Sequence, residues 1–463
     1  HSMINFTRRY IEYILLTGLY IWICYCSITN MGSNAGIVFL LFVVCIAIKS
    51  ARASFCVMVS LLFSSMASLN MPSPIIISSA IIFLFNFRRL KISGKQLSLS
   101  KLIIPFFFYL VIRIVSYLYT INDELFSSAI NVDFITFISI CLALLLLNDA
   151  DDVAFVERWI GLLGILATGY GLYYFLNNET AYLGEIYAGT DFAGKGVLGD
   201  DLIKAWLRWV PIDKEPNFLA ALLLFPLGYW LSLVSNKITV GAMVGLSITY
   251  LGVLFTYSRS SFLVSTLILL YVLFVNKKES FYCILLCIIG LFIGVFLYFP
   301  EVVDRIFSIN DNIKSEGGSG RFGLWSEAII NFMSNPILGV GTGQTPAYSP
   351  SRLGTHNLFL QILGENGILG FSLFSFIWLS AFTRMKRYLL CNSFYFYAFL
   401  GYSINLMTVH NFDLRIPFFV VLLFYAYVQS TNKPQSTIKR PVYSQLKSKR
   451  KSLLFNKTEY SSK

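Results

Sequence analysis

The chain has 463 residues, 56% of them apolar and 13% charged, with a mean hydropathy of +0.68 and a formal net charge of +12. That composition excludes a soluble globular domain, and apolar runs of roughly 17 to 25 residues without period-2 alternation exclude a membrane β-barrel. The basic excess sits in short connections and in the tail, where the sorting of Lys and Arg to the cytoplasmic side explains it better than nucleic-acid binding does.

The expected architecture is all-α: a polytopic transmembrane helical bundle of about 12 to 14 spans, with both termini cytoplasmic. His1 and Ser2 ahead of Met3 read as an appended scar. The first apolar run lacks a small-residue cleavage site and reads as a retained helix. Arg8 and Arg9 hold the N-terminus inside, and basic connections then recur at Lys49 with Arg52, at Arg88 to Lys101, at Lys237, at Lys277 with Lys278, and at Arg384 to Arg387. The intervening connections fall outside. The acid-rich stretch Asp149 to Arg158 goes against this pattern, since it is assigned inside. Val240 to Phe255 and Phe262 to Val275 read either as two spans or as broken, re-entrant pieces on either side of Thr256 to Ser261.

Two outside loops are long, at about 177–215 and 300–355. Loops of this size are usually functional and carry some structure of their own. In the first, Leu202 to Val210 carries Trp206 and Trp209 and suits the membrane interface. In the second, the glycines Gly317 to Gly320 precede a run with helical apolar spacing, Phe322 to Met333, which ends at Pro336. The transmembrane domain thus covers 1–431, and 432–463 forms a basic cytoplasmic tail. The eight cysteines all lie in apolar runs and imply small buried hydrophobes rather than a disulfide framework or a metal site.

The same topology gathers Arg208, Lys214, Glu215, Arg259, Arg321, His356, Glu365, His410, Asp413 and Arg415 on or near one membrane face. Ionisable groups at a membrane are costly to keep and mark sites by default. Several arginine forks converging there suit diphosphate oxygens. Each residue also has a plainer reading: snorkelling for Arg208 and Arg259, a local ion pair for Arg321, a helix start for His356, and mutual pairing for His410 with Asp413. Glu365 lies about two turns into an apolar run and needs a partner. The run PILGVGTG at 336–343 lacks the lysine of a nucleotide-binding loop and reads as a turn permitting close backbone approach.

In order, SGRFGLWSEAI, PILGVGTG and THNLFLQILGENGILG, supported upstream by KEPNFLA and YSRSSFL, resemble the bacterial O-antigen ligase and O-antigen polymerase superfamily of inner-membrane glycosyltransferases. The resemblance covers roughly 206–370 in its motifs. It implies transfer of a glycan from undecaprenyl diphosphate to a sugar hydroxyl, at the periplasmic face, with no cofactor and no required metal. It also implies central roles for Arg208, Arg321 and His356, with Arg259 matching a short SR motif. Asn217, Asn357, Glu215 and Glu365 join Arg259 as substrate-binding candidates. The DKEPN stretch departs from a Gly-rich pattern, which loosens the alignment of Arg208. The EPNFLA variant favours a polymerase over a ligase. The implied partners are the undecaprenyl-diphosphate-linked oligosaccharide, membrane lipids, a chain-length regulator and a flippase, with no nucleic acid. A lipid-linked oligosaccharide flippase is the competing class, and it predicts internal repeats and midplane charges that the sequence lacks apart from Arg113 and Glu365.

Overall fold

The computed structural model describes residues 2–29, 34–64, 69–87, 97–177, 216–256, 258–275, 321–349, 354–388, 394–407 and 415–431, with isolated helical positions between 282 and 297. Among these residues the chain is helical and has no strand. The first half comprises α1 (Ser2–Thr29), α2 (Asn34–Lys49), α3 (Ala51–Leu62), α4 (Pro74–Asn86), α5 (Leu97–Val115), α6 (Asp123–Leu146) and α7 (Ala150–Asn177). The second comprises α8 (Pro216–Asn236), α9 (Val240–Phe255), α10 (Arg259–Val275), α11 (Arg321–Ser334), the single turn α12 (Thr345–Tyr348), α13 (Leu358–Tyr388), α14 (Phe394–Asn405) and α15 (Arg415–Thr431).

Six of the described helices contain stretches long and apolar enough to cross a membrane: Tyr10–Thr29, Lys101–Tyr119, Asp123–Ala143, Ala150–Tyr173, Leu219–Asn236 and Leu358–Arg387. Shorter apolar helices pack between them. The outward residues, such as Ile14, Leu41, Leu84, Ile104, Phe108 and Leu263, are themselves apolar. A bundle with a greasy exterior and internally satisfied backbone suits hydrocarbon surroundings, and the expected polytopic helical bundle is what the chain forms.

Helices that are apolar all round become the core. Ala53 to Leu62 of α3, Leu219 to Leu227 of α8 and Phe418 to Ala426 of α15 run through the interior. α15 packs against α5, α6, α7 and α14, and α8 packs against α7, α9, α10 and α14. Burying apolar side chains cannot by itself hold helices together in lipid, so close backbone approach matters more. Gly161 and Gly164 of α7 admit Tyr229 and Pro226 of α8, each so near that an added Cβ would fall 2.4 Å from the neighbour. Trp230 Nε1 donates to the Gly161 carbonyl at 3.0 Å across this same contact.

The end of the bundle that carries Arg52 resolves the acid-rich connection. Arg52 donates to Glu12 at 2.7 Å and lies 4.0 Å from Asp152. Asp152 Oδ2 also accepts from the backbone of Asn148 and Asp149, so it closes the start of α7. These acids are spent on a helix terminus and an arginine, which is why a connection rich in them can share an end with basic residues. Around Thr256 to Ser261 the chain forms the end of one helix, α9, and the start of another, α10.

Candidate active site

A buried polar network lies at the other end of the bundle, where a loop is inserted into a broken helix. α13 contains Gly367 at φ 59°, ψ −162°, and an unbroken helix would there bond Ile368 N to Gly364 O and Leu369 N to Glu365 O. Neither bond forms. Ile368 N donates instead to Pro336 O at 2.9 Å and Leu369 N to Ile337 O at 3.3 Å. The two orphaned carbonyls accept from the same loop: Gly364 O from Val340 N and Glu365 O from Gly341 N, both at 2.9 Å. Four of the backbone groups released by the break are thereby paired, as a low-dielectric interior demands.

The glycines follow from this insertion. A Cβ on Gly367 would lie 2.4 Å from Ile337 O, and one on Gly339 (φ 74°) would lie 2.4 Å from the carbonyl of Glu365. The close approach that PILGVGTG promises is thus between backbone and backbone. Gly367→Ala adds both the steric clash and a left-handed φ, and it should lower stability by about 1–3 kcal/mol or more. Thermal unfolding in detergent checks this: an unchanged midpoint would show that the insertion is loose.

Side chains lock the loop further. Glu365 is 1% exposed, and its carboxylate accepts from Gly343 N at 2.9 Å, Thr345 Oγ1 at 3.0 Å and Gln361 Nε2 at 3.0 Å. The partner that the sequence demanded for this acid is the loop itself, with Arg113 Nη1 at 4.0 Å. Arg113, near the end of α5, donates through Nε to Asp133 of α6 at 2.5 Å and through Nη1 to Asn366 Oδ1 at 2.9 Å and to Tyr109 at 3.2 Å. Asn366 Nδ2 reaches Thr342 Oγ1 at 2.9 Å, and Thr342 returns to the Arg113 carbonyl at 3.2 Å. Gln344 accepts from the backbone of Ile121 and Asn122 and donates to Asn122 O, which ties the loop to the start of α6. Asp133 has no counterpart among the residues singled out from the sequence. A lone acid in one span facing a lone Arg113 in the preceding span was the available signal.

His356 and Asn357 sit at the mouth of α13. His356 has φ 49°, a conformation unusual outside glycine, and is half-buried. Asn357 caps the helix, its Oδ1 accepting from Phe359 N at 3.1 Å and Leu360 N at 3.2 Å, while Thr355 Oγ1 donates to the Asn357 carbonyl. Leu358 N donates to Leu406 O beyond the end of α14 at 2.9 Å. The adjacent Asn405 Nδ2 donates to Ser261 Oγ at 3.1 Å, two residues past Arg259, the first residue of α10. Tyr402 of α14 donates to Leu222 O of α8, about 7.5 Å along that helix from Asn217. The His356 loop and the starts of α8 and α10 therefore share one end of the bundle.

Arg321 is the first residue of α11, which packs along α13. Ala328 O lies beside Gly364, and Pro336 and Ile337 lie beside Ile368 and Leu369, so the two segments advance in the same direction. Arg321, about 10.5 Å before Ala328 along the helix, thus opens α11 at the His356 end. Nearby, Ser349 donates to Glu327 of α11. Arg208, Glu215, His410 and Asp413 lie outside the described residues, and of Arg259, Arg321, Asn217 and Arg415 the structure describes the backbone. Among the described residues no group of three or more His, Cys, Asp or Glu converges as metal ligands do.

Residues 241–375 match the family described as O-Antigen ligase. The match runs from α9 into α13 and takes in α10, α11, the inserted loop, His356 and the break at Gly367. It supports the O-antigen ligase and polymerase superfamily, and with it a glycosyltransferase-like activity in O-antigen assembly carried by a multi-pass membrane protein. No curated protein matches the chain.

Proposed function

We propose that this chain is an O-antigen polymerase, which joins undecaprenyl-diphosphate-linked oligosaccharide repeat units at the periplasmic face of the inner membrane by inverting glycosyl transfer that requires no metal. The observation that carries the reading is the family match, because 241–375 contains the SGRFGLW, PILGVGTG and THNLFLQ segments together. The EPNFLA variant at 215–220 inclines it toward a polymerase.

In this mechanism the acceptor hydroxyl oxygen attacks C1 of the donor sugar as the bond from C1 to the phosphate oxygen breaks, and the electron pair leaves on the diphosphate. Charge grows on that leaving group, so guanidinium groups of Arg208 and Arg321, with Arg259 beside them, stabilise the transition state more than the ground state. His356 takes the hydroxyl proton; an imidazole, with an ordinary pKa near ~6.5, can do so at neutral pH. A single displacement inverts the anomeric centre. Glu215 orients His356 or the acceptor, or serves as the base in its place, and Asn217 contacts the sugar. Asn357 and Glu365 act as positioning residues, through the cap of α13 and through the inserted loop.

The family's description as O-Antigen ligase favours a second reading, a ligase that transfers the polysaccharide to the lipid A core. Purified protein given a synthetic undecaprenyl diphosphate repeat unit separates the two. A ladder of products without added core is expected for the polymerase. Product only when core is supplied makes the chain a ligase, and no product under either condition, with the donor bound or translocated, rejects both in favour of a transporter.

A further inference from the structure

We infer that α11 lies in the membrane interface with one face immersed in lipid, whichever reaction the chain performs. Fourteen residues give a helix about 21 Å long, too short to cross a hydrocarbon core of about 30 Å. Its inner face, Leu324, Ala328 and Asn331, is buried, chiefly against α13. The opposite face holds Phe322, Ile329, Ile330 and Met333, at spacings of 7, 8 and 11 residues from the first, which a helix places on one side. Ile330 is 65% and Met333 70% exposed. Ser326 is the polar side chain among them, and no Lys or Arg interrupts the stripe.

A soluble loop with so many large apolar side chains turned outward would be an aggregation liability. Here the stripe has a natural continuation. Past α11, exposed Ile337 is joined through its carbonyl to Leu369, and Ile368, Phe376 and Leu379 carry the exposed apolar surface down the outer face of α13. That face belongs to one of the candidate membrane spans, whose surroundings are hydrocarbon. The α11 stripe and the α13 face form one apolar surface, interrupted at the turn between Met333 and Ile337 by the exposed Ser334 and Asn335, and the occupant that fits its apolar parts is the acyl region of bilayer lipid. Interfacial immersion keeps the Arg321 end of the helix near headgroup depth, where an arginine keeps its charge in polar surroundings.

Photo-cross-linking tests this with the full chain in phospholipid vesicles. A benzophenone amino acid is placed at Ile330 or Met333, with Leu84 as the lipid-facing reference and Glu124 as the exposed polar reference. The expected result is phospholipid adducts at 330 and 333 with yields within about threefold of Leu84, detected as mass increments of the lipid. Yields matching Glu124 would overturn the inference, because the stripe would then face water. Cross-links to a second copy or to another part of the chain would overturn it as well, since protein would then cover the face. A third variant, Ile329 labelled in the same way, guards against one position being perturbed by the label itself.

Discussion

Substituting His356 should separate chemistry from backbone strain. His356→Asn is expected to fold and purify like the parent while its product formation falls on the order of 10²–10⁴-fold, the usual worth of a general base. Asparagine is chosen because it tolerates left-handed φ better than most residues, and the φ of 49° at this position would strain an alanine. His356→Gly goes further, since glycine removes a conformational cost of roughly 1–2 kcal/mol. That variant should remain inactive, with a thermal midpoint set by the relieved backbone strain against the lost imidazole contact and the greater unfolded-state entropy of glycine. Arg321→Ala should lose on the order of 10²–10³-fold through the leaving group, the scale of removing one charge-stabilising donor, with no change in thermal midpoint. Near-normal turnover in the histidine or the arginine variant would remove the mechanism.

Arg113→Met should be the most destabilising change in the bundle. It leaves Asp133 and Glu365, both buried, without the cation that sits between them, and it takes donors from Asn366 and Tyr109. Breaking a buried ion pair from one side costs about 3–5 kcal/mol, because the abandoned charge is worse than the lost attraction. The double variant Arg113→Met, Asp133→Leu removes both partners of the 2.5 Å contact and should recover most of that loss, since Glu365 keeps its three donors from Gly343, Thr345 and Gln361. Thermal unfolding of the parent, both single variants and the double variant yields the coupling. If Arg113→Met melts with the parent, the network is ornamental and the inserted loop is held by its backbone bonds alone.

The bundle was legible because hydrocarbon imposes a simple rule on sequence: long apolar runs must become helices. The run Phe322 to Met333 was readable for the same reason, and it ends as expected just before Pro336, within α11. The acid-rich connection was harder, because charge counting ignores what a carboxylate does at a helix start, and Asp152 is spent there and on Arg52. Two-body facts were out of reach. GENG at 364–367 and PILGVGTG at 336–343 each announce backbone freedom, yet nothing in either says that one threads into the other. Glu365 advertised the need for a partner without naming it. Asp133 was overlooked altogether, hidden in a helix whose other residues read as lipid-compatible. Of the arginines named from the sequence, Arg321 and Arg259 open helices at the His356 end, and Arg208 lies outside the described residues.

A gap in a membrane helix is commonly where a transporter bends. In α13 the gap is splinted: four crossed backbone bonds run between residues 336–341 and 364–369, and the inserted segment, with α11 packed along α13, is thereby welded to the helix as one body. His356 rides on that body. Under the proposed function, an arriving glycan carrier would meet a rim whose shape is already set, and turnover should be paced by the two-dimensional traffic of carriers into and out of the site rather than by any flexing of the helix that bears the histidine.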